Sequence, residues 1–291
     1  MNSIIDYFSN VPDIHRIVLL GASMFLLWNI ENFIGLKANY KKWKHAFKNA
    51  LFTLVDAPVQ AVMGILFVAA TTWVSSHQFG FLHLLGATNN WLIFASTFIF
   101  LDFGEYIYHI FMHKIKRLWM FHLVHHTDSV VDVSSTLREH PVESAIRLSF
   151  LLLWVFVSGA TFWAILFRQF IQIVSNVFAH ANFRLSEKAD SIVSWVFVTP
   201  NFHHVHHHFQ QPYTDSNYGD VLSIWDRIFG TYRTLSADKV VFGVDTYMNE
   251  AENTNFGTLI KIPFREYRAP STTINEEDFA FQKETALSCY E

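Results

Sequence analysis

Three runs of this chain, 17–36, 51–74 and 91–113, are each long and apolar enough to cross a hydrocarbon core, a passage that takes about 20 residues as a helix. With 51% hydrophobic and 17% aromatic residues against 16% charged, the composition is that of a membrane protein. Between the first two runs lies KANYKKWKHAFK, with Lys37, Lys41, Lys42, Lys44 and Lys48, whereas 75–90 holds no Lys or Arg. The positive-inside bias places the lysine loop in the cytosol and 75–90 outside. The third helix then runs inward and delivers its C-terminal end to the cytosolic face. MNSIIDYFSNVPDIH carries no Lys or Arg, Arg16 alone standing directly ahead of the first apolar run, and no small-residue cleavage site closes that run. A retained helix is expected there, not a signal peptide.

The next apolar run, Leu148 to Phe167, has the length of one span. A single crossing would separate the later histidines from the earlier ones across the bilayer. A helical hairpin from about 142 to about 178, turning near Ser158 and Gly159, keeps them together, and glycine suits such a turn. The fold class expected is therefore all-α: an integral membrane helical bundle of four or five embedded helices, including the hairpin, with a cytosolic histidine-rich helical cap. Three regions follow: membrane helices over 1–90, a catalytic domain over 91–235, and a cytosolic segment over 236–291, its tail from 263 low in structure.

Histidines mark the chemistry. On the third helix Asp102, Glu105, His109 and His113 form one polar stripe at i, i+3, i+7 and i+11, and ionisable groups inside a span normally face the interior and mark function. His109 and His113, one turn apart, can address one point. In HLVHH, His122, His125 and His126 stand at i, i+3 and i+4, so the last two diverge by about 100°, a geometry suited to two adjacent metal ions. His203, His206 and His207 repeat it. His180, ending the hairpin, is a further ligand candidate. His140 precedes Pro141 and either ligates or caps the helix begun there. His204 and His208 interrupt the spacing and are expected beside the site or facing solvent; His15, His45, His77 and His83 read as structural.

Imidazoles suit Zn, Cu, Fe or Ni and disfavour Mg or Ca. Cys289 is the only cysteine, so neither Cys-ligated zinc nor an iron–sulfur cluster fits. Neutral imidazoles need acceptors for their Nδ1–H groups, and Asp102, Glu105, Asp128, Glu139, Glu143 and Asp226 are the carboxylates available. A net charge of −4 argues against nucleic acid as a partner. Two other classes are weighed: a membrane metal transporter, which would string its ligands along a path through the bilayer, and a zinc-dependent lipid hydrolase, for which no nucleophile motif or H-E-x-x-H helix is present.

The series HIFMH (109–113), LWMFHLVHH (118–126), TLREHPVE (136–143), FAHANFRL (178–185), TPNFHHVHHHFQQPYTDSNYG (199–219) and WDRIFGTYR (225–233) resembles the sterol desaturase / fatty acid hydroxylase superfamily over about residues 95–235. Its members are integral membrane, O2-dependent di-iron oxygenases that hydroxylate or desaturate lipid C–H bonds. The resemblance implies two irons held by His109, His113, His122, His125, His126, His203, His206 and His207, with His180 joining them. It also implies O2 as co-substrate, a lipid substrate drawn from the bilayer, and an endoplasmic reticulum or bacterial inner membrane location. The chain shows no haem domain, no G-x-G-x-x-G and no cysteines for a cluster, so electrons are expected from a separate electron-transfer protein. WDRIFGTYR is expected to pack beneath the second cluster, with no catalytic role for Trp225 or Phe229.

Overall fold

The computed structural model describes residues 1–10, 13–35, 40–253 and 255–270. Lys37, Cys289 and the tail beyond 270 lie outside the described residues. In chain order the helices are α1 Asn2–Asn10, α2 Asp13–Ile34, α3 Lys42–His77, α4 Phe81–Leu84, α5 Asn90–Lys114, α6 Lys116–His126, α7 Pro141–Ser158, α8 Phe162–His180, α9 Glu187–Val193, α10 Pro200–His206 and α11 Ile224–Ile228. Short helical turns follow as far as Phe264. Among the described residues the only β pairing is two isolated bridges, Phe197 with Leu222 and His208 with Phe242.

Four segments are long and apolar enough to cross a bilayer: Lys42–Leu84, Asn90–Lys114, Pro141–Ser158 and Phe162–His180. The chain is a multi-pass integral membrane protein. The expected hairpin is present as α7 and α8, joined where Gly159 adopts φ +74°, a left-handed conformation that glycine takes without a Cβ penalty. A side chain there would also strike the Phe79 carbonyl oxygen, 2.8 Å from an added Cβ. The first run differs from expectation. The apolar part of α2 is only Ile17–Phe33, too short for a candidate span, and it holds Asn29, Glu31 and Asn32 near its end. Glu31 is buried and accepts the Val133 and Asn182 backbone N–H groups at 2.9 and 2.6 Å, so the end of α2 is bound to the protein interior.

Helix α3 is longer than its apolar run implied. Its 36 residues make a rod of about 54 Å, well beyond a core of about 30 Å. Its first turns therefore project past the bilayer, where His45 bridges Asp128 at 2.7 Å and Asp132 at 3.0 Å. The apolar core joins α3, α5, α7 and α8 through Met63, Phe67, Leu101, Leu148, Leu151, Val155 and Ile165. Gly104 lets α5 and α7 approach closely, since an added Cβ would lie 2.5 Å from the Trp154 ring.

The start of α3, the end of α5, the start of α7 and the end of α8 share one end of the bundle, and α6 and α10 cap it. With Cys289→Ser as background, Arg117→Cys and Lys188→Cys are expected to react with a membrane-impermeant maleimide from the same side, and Ser76→Cys from the other. Labelling of Arg117→Cys and Lys188→Cys from opposite sides would overturn this arrangement.

Candidate metal centre

Four elements bring nine imidazoles together at the capped end. Helix α5 supplies His109 and His113, α6 supplies His122, His125 and His126, the last residue of α8 is His180, and α10 with its C-cap supplies His203, His206 and His207. They divide into two groups: His109, His113, His122, His126 and His206 in one, and His125, His180, His203 and His207 in the other. Within each group the candidate ligand atoms lie within 4.8 Å of one another. Adjacent histidines part company, His125 from His126 and His206 from His207, because consecutive helical residues point about 100° apart. The groups touch where His126 stacks on His207, ring centroids 4.6 Å apart.

Local sequence fixes these elements. Thr199 caps α10 by accepting the Phe202 N–H, with Pro200 in the first helical position. Arg138, fully buried, donates to the Val124 carbonyl at 2.8 Å and to Thr127 Oγ1 at 2.7 Å, closing the end of α6.

Protons on the rings follow from their partners. Backbone carbonyl oxygens only accept, so the Nδ1 of His109 donates to Tyr218 O (2.9 Å), that of His125 to Arg138 O (3.2 Å), that of His180 to Asn176 O (2.8 Å) and that of His206 to Ser216 O (2.7 Å). His122 Nδ1 donates to Glu143 Oε1 at 2.5 Å, and His113 Nδ1 to Asp215 Oδ1 at 3.2 Å. Burial pushes His122 down to about 3. Burial, followed by neighbouring imidazoles, holds His125, His126, His203, His206 and His207 well below the usual histidine range. These rings are neutral, so a ring whose Nδ1 carries the proton has a bare Nε2 lone pair.

Those lone pairs face each other. The Nε2 atoms of His109 and His122 are 3.0 Å apart, and those of His125 and His180 are 3.2 Å apart. Neither pair has a proton to share. The Nε2 atoms of His113 and His206 are likewise buried without a hydrogen-bond partner. Converging bare lone pairs repel unless a cation lies among them, and this donor set suits a transition metal.

The expected carboxylates are distributed differently. Of the six, Glu143 alone bonds a clustered imidazole. Asp102 accepts the Val221 and Leu222 N–H groups and Trp225 Nε1. Asp226 accepts the Tyr218 and Gly219 N–H groups and Thr231 Oγ1; burial lifts its carboxyl to about 6. Both hold the 216–222 loop, whose carbonyls orient His206 and His109. Glu105 accepts Gln172 Nε2 at 3.1 Å and stands 3.6 and 3.7 Å from Arg168 and Arg147. The turn after His109 faces the rings, whereas Glu105 faces α7 and α8, which carry compensating cations. Glu139 takes the guanidinium of Arg147 in two 2.9 Å bonds. Asp128 binds His45 and Ser135; burial opposes its ionisation, but His45 and Arg138 hold it well below the carboxylate range.

His140 stands outside both groups and caps α7, its Nδ1 accepting the Val142 N–H at 3.1 Å. His204 and His208 are buried and outside the groups: His204 packs on Phe242 and His208 accepts the Val241 N–H. Neither faces solvent. Trp225 packs on Phe103 of α5, whereas Tyr232 of the same motif stacks on Phe202 of α10, ring centroids 5.8 Å apart, so WDRIFGTYR supports α10 as expected and also fastens the loop through Asp226. Asp215 and the four carbonyl acceptors were not anticipated. A carbonyl has no side-chain signature, and Asp215 belongs to no periodic stripe.

Replacement of Glu143 by Gln is expected to weaken metal binding about 10- to 100-fold in chelator competition. Glu105→Gln should keep its metal and lose about 1–3 kcal/mol of stability, read as a lower unfolding midpoint in detergent. Equal metal loss in both variants would show that Glu105 serves the centre after all.

A family model described as fatty acid hydroxylase matches residues 94–231. The chain is 31% identical over 167 residues to an alkylglycerol monooxygenase of Xenopus tropicalis, covering 54% of this chain and 34% of that protein. It is 27% identical over 131 residues to the ornithine lipid hydroxylase OlsE of Rhizobium tropici, covering 45% and 39%. It is 31% identical over 205 residues to sphinganine C4-monooxygenase 1 of Arabidopsis thaliana, covering 64% and 70%. The chain thus spans about a third of the length of the alkylglycerol monooxygenases it matches. No solved structure gives a significant match.

Proposed function

The chain belongs to the fatty acid hydroxylase superfamily, and from that membership and its paired lone-pair geometry we propose that it is an O2-dependent di-iron oxygenase hydroxylating a C–H bond of a membrane lipid. One iron would be held by His109, His113, His122, His126 and His206, the other by His125, His180, His203 and His207. The observation that carries this reading is the facing of bare Nε2 atoms, one pair in each group. Imidazoles also bind zinc; family membership supports iron. A transporter is disfavoured because the imidazoles gather at one end of the bundle instead of along it.

A di-iron centre, when bound, supplies activation of O2 for attack on an unactivated C–H bond. The chain's own part is orientation and exclusion. Glu143 holds the Nδ1 proton of His122 and so directs its Nε2 lone pair inward and raises its basicity. Asp102 and Asp226 keep the 216–222 loop in place for His109 and His206. Burial of the rings keeps bulk water from the reacting carbon.

The relatives are named for alkylglycerol, an ornithine lipid and sphinganine, which supports a straight-chain lipid with a hydrogen-bonding head group over a sterol, and hydroxylation over desaturation. A cleft of about 530 Å³ runs along α8, lined by Phe167, Phe170, Ile171, Val174 and Phe178. Its stripe lies about 200° around the helix from His180, so it does not open onto the imidazoles and is not the reaction chamber. Lys41, Lys42, Lys44 and Lys48 stand at the same end of the bundle as the centre, which supports a cytosolic active site, in a bacterial inner membrane or the endoplasmic reticulum. Electrons come from a separate carrier.

Expression in lipid-producing cells under heavy-isotope O2 should yield a lipid with one heavy oxygen atom in a new hydroxyl. His125→Ala and His206→Ala, one from each group, should abolish it while membrane insertion persists. Wild-type product from either variant with unchanged metal content would sink the assignment.

A further inference from the structure

Hydroxylation of a C–H bond uses one O2, two electrons and two protons, and returns the alcohol and one water. The electrons must cross from water to a buried centre. Among the aromatic residues packed on the imidazoles, Trp119 joins them to the surface: its ring centroid lies 4.8 Å from that of His113, 5.3 Å from His126 and 6.2 Å from His122. Its other side is half-buried at the edge of the Val244, Tyr247, Leu259 and Ile262 cluster. Exposed cations stand at the corner between α5 and α6: Lys114, Lys116 and, about 200° around α6 from Trp119, Arg117. Lys116 lies over the Tyr267 ring at 5.2 Å. Arg117 has no ion pair among the described residues. Asp215 ties this face to the centre a second time, accepting both His113 Nδ1 at 3.2 Å and Lys114 Nζ at 2.7 Å. Glu252 is taken up by Arg265 and Arg268.

We propose that this basic corner is the docking surface for an acidic, water-soluble one-electron carrier protein, and that Trp119 is the contact through which its electrons reach the five-histidine group. The inference rests on the oxygenase reading above. Cations at a helix end can equally meet anionic lipid head groups. A lipid anchor, however, gives no reason for Lys114 and Lys116 to be tied, through Asp215 and Tyr267, to the face of an indole that touches three clustered imidazoles. Opposite charge across the contact would raise the encounter rate and make it fall with salt.

The test uses iron-loaded protein in phosphatidylcholine nanodiscs, oxidised and then mixed anaerobically with either dithionite or a plant-type two-iron, two-sulfur ferredoxin kept reduced by its reductase. The readout is loss of the centre's near-ultraviolet absorption. Lys116→Glu with Arg117→Glu should slow the ferredoxin reaction by about tenfold or more and flatten its salt dependence, leaving the dithionite reaction unchanged. Trp119→Leu should slow it even at saturating ferredoxin with iron content intact, and Trp119→Phe should recover most of the rate. A ferredoxin rate within about twofold of wild type after charge reversal would overturn the docking proposal. So would an effect confined to phosphatidylglycerol nanodiscs, which would make the corner a lipid anchor. If dithionite-reduced wild-type protein exposed to O2 and lipid formed no hydroxylated product, the oxygenase reading would fail instead.

Discussion

Everything in this chain defers to the need to hold neutral imidazoles with their bare nitrogens facing one another. In a metal-free protein that arrangement is unfavourable: lone pairs 3.0 and 3.2 Å apart repel, and each buried nitrogen has lost its water. It is sustained from behind. Six of the rings donate Nδ1–H to a fixed acceptor, four of them backbone carbonyls. A carbonyl can be placed only by the fold that carries it, so the conformation of the 216–222 loop is as much a part of the centre as the histidines. That loop is fastened in turn by two buried carboxylates, Asp102 from α5 and Asp226 from α11.

A second polar layer lies on the membrane side of the rings. Glu105, Arg147, Glu139, Arg168, Gln172 and Asp220 link α5, α7 and α8 and the loop, with Arg168 reaching Asp220 at 2.9 Å and Gln172 reaching it at 2.8 Å. Apolar packing would hold these helices together at least as well, because buried ion pairs gain little net stability. What such a network adds is register: sliding α8 by one turn against α5 would strand Arg168 without a carboxylate. Since His180 ends α8 and His109 lies one turn beyond Glu105, register between these helices sets the distance between the two histidine groups.

How far the sequence discloses this depends on the kind of signal. Spacing read well where helical geometry alone decides the outcome: H-x2-H-H divides between two groups because adjacent residues diverge by about 100°, and Gly159 marks the hairpin turn. It read poorly where tertiary contact decides. Glu105 shares the stripe of His109, yet faces arginines from α7 and α8, residues whose proximity no local pattern records. His140 satisfies both a ligand motif and a cap motif, and the fold uses the cap. Asp215 looks like an ordinary loop acid, while Glu143, one of several acids near the motifs, makes the shortest bond to a clustered ring. The end of α2 was misjudged for a related reason, as Glu31 is held by backbone groups of distant segments.

The centre's depth follows from these same constraints. His109, His113 and His180 come from the ends of membrane helices, whereas His122, His125, His126, His203, His206 and His207 come from helices lying beyond the bilayer. Two groups that each draw on both kinds of helix, two of five rings and one of four coming from the membrane helices, sit at the boundary. On one flank are Phe111 and Ile115, exposed and apolar; a few residues on stand Lys116 and Arg117, exposed and charged. The two partners proposed above, a lipid chain and a water-soluble reductant, prefer opposite sides of that line, so a site drawing on both would have one depth at which neither must cross the other's medium. By ending α5 at Lys114 and restarting the chain as α6 after Ile115, the protein turns the histidine-bearing surface through that depth, and the break between the two helices becomes the position from which both proposed reactants would be served.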